Sequence, residues 1–190
     1  FGLLCCVVPP EASGPSDKDL CYYYLYDSRK RMIEKKVPGG GIIKMVYDKR
    51  DRIRFTQNRL QAHNTWSFTK YDDLNRPVIT GILNNYSSGA SALENATNNA
   101  ITLNEIRNNG QTTGYNNDSY PTSNTDVLTL AYYDNYDFFN ITGIPIGTNL
   151  RSETYDVGVY NIQSKLAVGN KGMVTCTMTM VLSDATDASS

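Results

Sequence analysis

The chain has 190 residues, a length that fits one or two domains, and its formal net charge at pH 7 is −1. A charge so close to zero gives no electrostatic case for nucleic acid or an anionic membrane surface as a partner. No apolar run in the sequence approaches the ~20 residues that a transmembrane helix needs. The sequence therefore predicts a protein with no nucleic-acid partner and no membrane-spanning helix.

Three copies of one short phrase, Tyr-Asp followed by three residues and Arg, occupy the first part of the chain. The second copy begins 21 residues after the first, and the third begins 24 residues after the second. Self-similarity at a period of about 20 to 50 residues is typical of stacked repeat proteins. The defining residues are Tyr26, Asp27 and Arg31, then Tyr47, Asp48 and Arg52, then Tyr71, Asp72 and Arg76.

Each copy has the pattern of a strand, a turn and a second strand. Aromatic and β-branched residues precede each Tyr-Asp pair, and apolar residues resume after each Arg. We therefore predict hairpin turns at residues 27–31, 48–52 and 72–76. The residue before each Arg falls where such a turn requires positive φ; Asn75 and Asp51 suit that position, and Lys30 suits it less well.

The motif residues can be explained without a ligand. Each Asp can pair with the Arg of its own turn, and an exposed pair of this kind contributes only ~0–1 kcal/mol. Tyr rings have more area to bury, and a cross-strand aromatic pair adds ~0.2–1 kcal/mol. We expect Tyr26, Tyr47 and Tyr71 to form a packing ladder, with the Asp and Arg residues fixing turn and register.

The middle of the chain changes in composition. Residues 85–126 are rich in Asn, Ser, Thr and Gly, and apolar residues spaced three and four apart predict one amphipathic helix over 90–107. Ser91 is the expected N-cap and Gly110 the expected stop, while Leu93, Leu103 and Ile106 are expected to pack on the sheet. Strands are expected again from 127 to 190, so the whole chain divides into 1–84, 85–126 and 127–190.

Other candidate sites are weak. His63 has no partner motif for catalysis and is read as a solvated loop residue. Asp134, Asp137 and Asn140 suggest an oxygen-rich loop, but Phe residues interrupt it and no bidentate Glu closes it. The four cysteines lack the spacing of a metal site. Two alternatives remain: a disulfide that joins Cys21 to Cys6 or Cys176, or free thiols. No catalytic residue, metal or cofactor is predicted.

The repeated phrase resembles the Rhs, or YD-repeat, proteins of bacteria, and the likeness is densest over residues 20–82. The fourth candidate copy, Tyr133-Asp134, is degenerate because Phe138 stands where Arg is expected. Glycine usually occupies the turn position held here by Lys30, Asp51 and Asn75, so we expect distortion in individual turns. The matching stretches are 31–38, 45–52, 68–72, 75–78, 80–82, 132–138 and 172–175.

The resemblance implies a mainly β fold in which stacked hairpins form part of a curved or spiral sheet, with one short inserted helix. It implies a structural scaffold in a large secreted or cell-surface bacterial protein, where many family members enclose a toxin or effector. The alternative is an adhesin-type module that binds glycans or a neighbouring cell; an enzyme is the least favoured class. Phe1–Leu4 resembles the back half of a further repeat. We therefore expect the chain to be part of a longer polypeptide and to contact the remainder of that polypeptide or identical copies.

Overall fold

The computed structural model describes residues 2–135 and 171–179. This part of the chain is mainly β and contains nine strands and one helix, which confirms the predicted fold class. The strands are β1 (Cys6–Val7), β2 (Tyr22–Tyr26), β3 (Met32–Val37), β4 (Gly41–Tyr47), β5 (Ile53–Gln57), β6 (Trp66–Tyr71), β7 (Pro77–Leu83), β8 (Thr125–Tyr133) and β9 (Val174–Thr179), and the helix is α1 (Gly89–Asn98).

The strands form one antiparallel sheet in which spatial order follows sequence order. Each strand from β2 to β8 therefore pairs with the strand before it and the strand after it, as expected for a succession of hairpins. One row of facing residues crosses β2 to β5, where Leu25 faces Glu34 and Lys44 faces both Glu34 and Gln57. The register shifts next to Tyr26 and next to Tyr47, so a bulge accompanies each of the first two turns.

Residue contacts divide the chain into two compact units. The first contains Phe1–Thr69, Gly81–Leu103 and Ser119–Asp126, and the second contains Lys70–Thr80, Asn104–Asp118 and Val127–Ser190. In the first unit α1 packs against β4. Its buried apolar side chains are Cys21, Val46, Phe55, Trp66, Phe68, Leu83 and Leu93, and those of the second unit are Val78, Ile79, Tyr115 and Tyr132.

The helix is shorter than the predicted span 90–107. It begins at Gly89 after the N-cap Ser88 and ends at Asn98, so the predicted cap at Ser91 and stop at Gly110 were wrong. Leu93 is fully buried as predicted, but Ile106 lies outside the helix with 66% of its surface exposed.

The physical reason is competition for the backbone beyond residue 98. Asn and β-branched residues there are mediocre helix formers. The Glu105 N–H donates to the Tyr71 carbonyl at 2.8 Å, and the Ile106 N–H donates to the Asn116 side chain at 2.9 Å. These bonds replace the helical ones that the spacing of apolar residues had suggested.

The strands predicted after residue 127 are present within the described residues. β8 and β9 pair antiparallel with Leu130 facing Met178 and Tyr132 facing Cys176. The predicted half-buried alternation is weaker than expected because Val174 is 54% exposed, and its predicted continuation to Leu182 lies outside the described residues. Within residues 2–135 and 171–179, no helix is long and apolar enough to cross a membrane.

Candidate functional site

The three predicted turns share one hydrogen-bond pattern, which confirms the hairpins. In the first copy the Asp27 N–H donates to the Arg31 carbonyl at 2.9 Å, and the Lys30 N–H donates to the Asp27 carbonyl at 3.0 Å. The same two bonds close the second copy at 3.0 and 3.0 Å, and the third copy at 3.0 and 3.2 Å. Main-chain geometry is therefore the same at all three turns.

The position before each Arg has positive φ, as predicted. The values are 63° at Lys30, 61° at Asp51 and 64° at Asn75. The left-handed region is costly for a residue with a Cβ, and Asn and Asp tolerate it better than Lys. The expected distortion of turns that lack glycine was wrong, because Lys30 adopts the same conformation as the two better-suited residues.

The motif aspartate organises its own turn. In the first copy, Asp27 Oδ1 accepts the main-chain N–H groups of Arg29 and Arg31, both at 2.9 Å. The Arg31 side chain then donates from Nε to Asp27 Oδ2 at 2.6 Å. The corresponding Nε–Oδ2 distances are 2.8 Å for Arg52 and Asp48, and 2.6 Å for Arg76 and Asp72.

These ion pairs are far more buried than the exposed pairs we expected. The side chain of Asp48 is 0% exposed and that of Arg52 is 8% exposed, while Asp72 is 9% exposed. Hairpin turns usually lie in solvent, which is why the sequence suggested exposed charges. Because a buried charge requires a full set of partners, the fork of hydrogen bonds on each Asp is a structural requirement.

Two motif arginines, Arg31 and Arg76, also reach a later copy of the phrase, while Arg52 donates to the Leu103 carbonyl at 3.0 Å. Arg31 donates from Nη1 to Asp51 Oδ1 at 2.9 Å, and its guanidinium carbon lies 4.8 Å from the centre of the Tyr47 ring. In the second unit Arg76 donates to both oxygens of Asp134, at 2.9 and 2.7 Å, and lies 4.3 Å from the centre of the Tyr133 ring. In each unit one motif arginine thus contacts a carboxylate and a tyrosine ring, although Asp51 stands just before Arg52 whereas Asp134 directly follows Tyr133.

The tyrosines of the second and fourth copies each donate a hydrogen bond to the strand that follows an earlier turn. The Tyr47 hydroxyl donates to the Met32 carbonyl at 2.8 Å, and the Tyr133 hydroxyl donates to the Pro77 carbonyl at 3.0 Å. Met32 and Pro77 each directly follow a motif Arg. Tyr26 makes the same kind of bond to the Leu4 carbonyl at 3.0 Å, so Leu4 occupies the position that Met32 and Pro77 hold.

These contacts change the role we expected for the tyrosines. Tyr26, Tyr47 and Tyr71 are half-buried rather than fully packed. For Tyr26 and Tyr47 the contacts above run to a main-chain carbonyl or to an arginine, which is not the ring-on-ring ladder that the sequence suggested.

The electrostatics follow from these contacts. The hydrogen bonds from Arg76 lower the pKa of Asp134 to about 2, and the Gly172 N–H assists. Burial alone would raise the pKa of Asp27, but the hydrogen bonds from Arg31 outweigh burial and lower it. Burial raises the pKa of Tyr47. The motif carboxylates at these two turns are therefore held in the ionised form.

Only Tyr133 and Asp134 of the degenerate fourth copy lie in the described part of the chain. Tyr133 and Asp134 receive Arg76 as Tyr47 and Asp51 receive Arg31. Asp134 has positive φ, at 71°, like Asp51 and unlike the motif aspartates Asp27, Asp48 and Asp72. Phe138, the residue that made this copy look degenerate, lies outside the described residues.

Sequence reasoning missed a second group of polar side chains. Lys70 and Glu105 are fully buried and form an ion pair at 3.2 Å, and Lys70 also donates to the side-chain oxygen of Asn117. The available signal was Lys70 itself, which occupies an alternating position of β6 shared with Trp66 and Phe68. A lysine on the buried side of a strand needs a partner, but the sequence did not identify the partner.

The remaining candidates from the sequence are His63, the cysteines and the oxygen-rich loop. His63 is exposed in a loop, as predicted. Within the described residues the four cysteines are free thiols, and Cys21 is buried with its thiol donating to the Gly14 carbonyl at 3.4 Å. No group of three His, Cys, Asp or Glu side chains there could hold a metal ion. Asp137 and Asn140 of the suggested oxygen-rich loop lie outside the described residues, and Asp134 is bound by Arg76.

No known protein-family model matches the chain. No curated protein matches its sequence at a significant level either. The likeness to the YD-repeat family therefore depends on the repeated phrase, its spacing and its hairpin context.

Proposed function

We propose that the chain is a structural scaffold segment of a large secreted or cell-surface YD-repeat protein. The observation that carries the proposal is the repeated contact between one turn and the next. Arg31 binds Asp51 and covers the ring of Tyr47, and Arg76 binds Asp134 and covers the ring of Tyr133. A contact passed from turn to turn builds an array, because each repeat is stabilised by its neighbour.

The motif side chains also support a structural role because they satisfy one another. Asp48 accepts hydrogen bonds from the main-chain N–H groups of Arg50 and Arg52, at 2.9 and 3.1 Å, and from the Arg52 side chain. A buried carboxylate with this many donors is fully used in holding the turn. Neither a substrate nor a cofactor is needed to explain why Asp and Arg recur at this spacing.

The resemblance to YD-repeat proteins supplies the wider role. In that family long runs of such hairpins wind into a shell, and many members enclose or present a toxin or effector. By that likeness this chain belongs on the cell surface or outside the cell, and its partners are the remainder of its own polypeptide or identical copies.

An adhesin-type binding module is the second candidate, and one surface feature favours it. A hollow of about 440 Å³ opens on the first unit beside Tyr23, Leu25, Lys36 and Ile42. Leu25 is 53% exposed and Ile42 is 45% exposed. Aromatic and apolar side chains beside polar ones suit the ring faces and hydroxyl groups of a glycan.

The two candidates differ in how the isolated chain behaves. A scaffold segment leaves apolar surface for its neighbours, so the purified 190-residue chain should self-associate or aggregate. Light scattering gives its mass in solution and calorimetry its unfolding transition. A soluble monomer with a single cooperative transition would contradict the scaffold proposal and favour the binding module.

A matched pair of variants tests which surface is responsible for self-association. Changing Leu25 and Ile42 to Ser should reduce the associated fraction if this apolar face contacts neighbouring repeats. Leu60→Ser is the control, since Leu60 is 95% exposed on a loop and contributes a similar side chain. Glycan binding by the unassociated chain, lost in the Leu25 and Ile42 double variant, would instead favour the adhesin-type module.

A further inference from the structure

One polar cluster in the second unit has no part in the repeated turns. It contains Lys70, which is 1% exposed at its side chain, and Glu105, which is 0% exposed. Lys70 Nζ lies 3.2 Å from Glu105 Oε1 and also contacts the side-chain oxygen of Asn117. An amine, a carboxylate and a carboxamide therefore meet at one point that is closed to water on the amine and carboxylate sides.

The backbone accounts for this meeting. The segment around Glu105 pairs with the end of β6, since Asn104 bridges Tyr71 in parallel and the Glu105 N–H donates to the Tyr71 carbonyl. The same segment pairs on its other side, where Arg107 bridges Tyr115 and the Asn116 N–H donates to the Ile106 carbonyl at 3.0 Å. Lys70, Glu105 and Asn117 consequently lie on three adjacent segments, with Glu105 on the middle one.

Burial makes the lysine a candidate nucleophile. Holding an ammonium and a carboxylate in a site without water is costly, and transfer of one proton from Nζ to Glu105 removes both charges. The neutral amine that results is nucleophilic, and it is already placed against the carboxamide of Asn117. Groups fixed in contact react as if at very high concentration, because the entropy of bringing them together was lost during folding.

We propose that Lys70 and Asn117 join through an intramolecular isopeptide bond, with Glu105 as the general acid and base. Nζ attacks Cγ of Asn117, so an Nζ–Cγ bond forms and the Cγ–Nδ2 bond breaks. Glu105 accepts a proton from Nζ and protonates the leaving nitrogen, which departs as ammonia. The atoms balance as amine plus carboxamide giving a secondary amide and ammonia, and no oxidant or co-reactant is required.

The position of Asn117 suits a residue that must release ammonia. Asn117 is exposed, although its side-chain oxygen contacts the buried amine of Lys70, and its φ is 58°. Asn tolerates this left-handed conformation well. The buried amine thus has a partner with an open route for the leaving group.

The bond would clamp residues that are 47 apart in the sequence. Cross-links of this span restrict the unfolded chain, and an amide, unlike a disulfide, is unaffected by reducing agents. A covalent clamp of this kind would keep the second unit closed whatever the redox state of the free thiols.

Mass spectrometry of the folded full chain tests the proposal. The intact mass should be lower than the sequence mass by one ammonia. Tryptic digestion should give a branched peptide that joins the Lys70 and Asn117 segments, with no cleavage after Lys70. A folded chain with the full sequence mass after prolonged incubation would overturn the proposal. Ammonia loss without a branched peptide would also overturn it, because a lone asparagine can lose ammonia by cyclising.

Three variants separate the roles of Asn117 and Glu105 in forming the bond. Asn117→Ala should restore the full mass of the unlinked chain and, since the Lys70–Glu105 pair is kept, should still fold. Glu105→Gln should slow bond formation at least ~10²-fold, the usual scale for a general acid–base group. Asn108→Ala, in an exposed loop, should cross-link like the parent chain. Cross-linking of Glu105→Gln at the parent rate would remove Glu105 from the reaction.

Discussion

Arg76 binds both carboxylate oxygens of Asp134, a residue that lies 58 positions further along the chain. The same guanidinium donates from Nε to Asp72 in its own turn at 2.6 Å. Bidentate arginine–carboxylate pairs are among the stronger polar contacts in proteins. One side chain thus closes its own turn and holds the next, which is the basis of the scaffold proposal.

Acid should weaken this contact within a defined pH range. Arg76 lowers the pKa of Asp134 to about 2, below its ordinary value of 3.8. A carboxyl group with a depressed folded-state pKa stabilises the fold above its unfolded pKa, and the contribution is lost as pH falls toward the folded value. We expect the melting temperatures of the parent chain and Asp134→Asn to differ above about pH 4 and to converge near pH 2.

The partner substitution supplies the control for that titration. Arg76→Gln removes the donor that depresses the pKa of Asp134 and also the Nε hydrogen bond to Asp72, so this variant should lose at least as much stability above pH 4 as Asp134→Asn does. If the difference between parent and Asp134→Asn stays constant from pH 5 to pH 2, the carboxylate is not stabilising the fold through this pair.

Burial should set the cost of removing each motif aspartate. Asp48 is fully buried, whereas the side chain of Asp27 is 18% exposed. Asp48→Ala removes the carboxylate that pairs with the buried Arg52, and breaking a buried pair typically costs ~3–5 kcal/mol. Asp27→Ala should cost less, about 1–2 kcal/mol, because water can reach Arg31. Urea unfolding measures both, and equal losses would show that burial does not control the effect.

Turn conformation predicts opposite changes in stability when either of two lysines is replaced by glycine. Lys30 has a φ of 63°, where glycine is at ease, so Lys30→Gly should stabilise the fold by up to about 1 kcal/mol. Lys49 lies in the second turn and is not among the positive-φ residues of the described chain. Lys49→Gly should therefore destabilise by about 0.5–1 kcal/mol, because glycine gains freedom in the unfolded state. Thermal unfolding of the pair decides the sign.

Much of the local structure could be predicted from the sequence because it depends on local chemistry. Asp at the start of a turn and Asp or Asn at its positive-φ position are short-range preferences, so the hairpins and their φ values followed from spacing. The start of the helix was predicted to within one residue, although its N-cap is Ser88 and not Ser91. Its end was not, because the N–H of Glu105 bonds to Tyr71, which no local pattern encodes.

The tertiary features could not be predicted in the same way. Whether Asp48 is exposed or buried depends on which segments cover its turn. Arg31 contacts Glu94 of the helix at 3.2 Å, and these two residues are 63 positions apart in the sequence. The meeting of Lys70, Glu105 and Asn117 likewise requires three separate segments to pair. Lys70 on the buried side of β6 indicates that a partner is needed, but no local pattern identifies Glu105 or Asn117 as that partner.

The scaffold proposal requires energetic coupling between Arg76 and Asp134, and a double-mutant cycle on these two residues measures that coupling. Arg76→Gln, Asp134→Asn and the double variant should show a coupling free energy of about 1 kcal/mol, the upper end for a partly exposed pair. Lys36 and Asp19, 3.9 Å apart with Asp19 wholly exposed, form the control cycle and should be additive. Additivity at Arg76 and Asp134 would contradict the account.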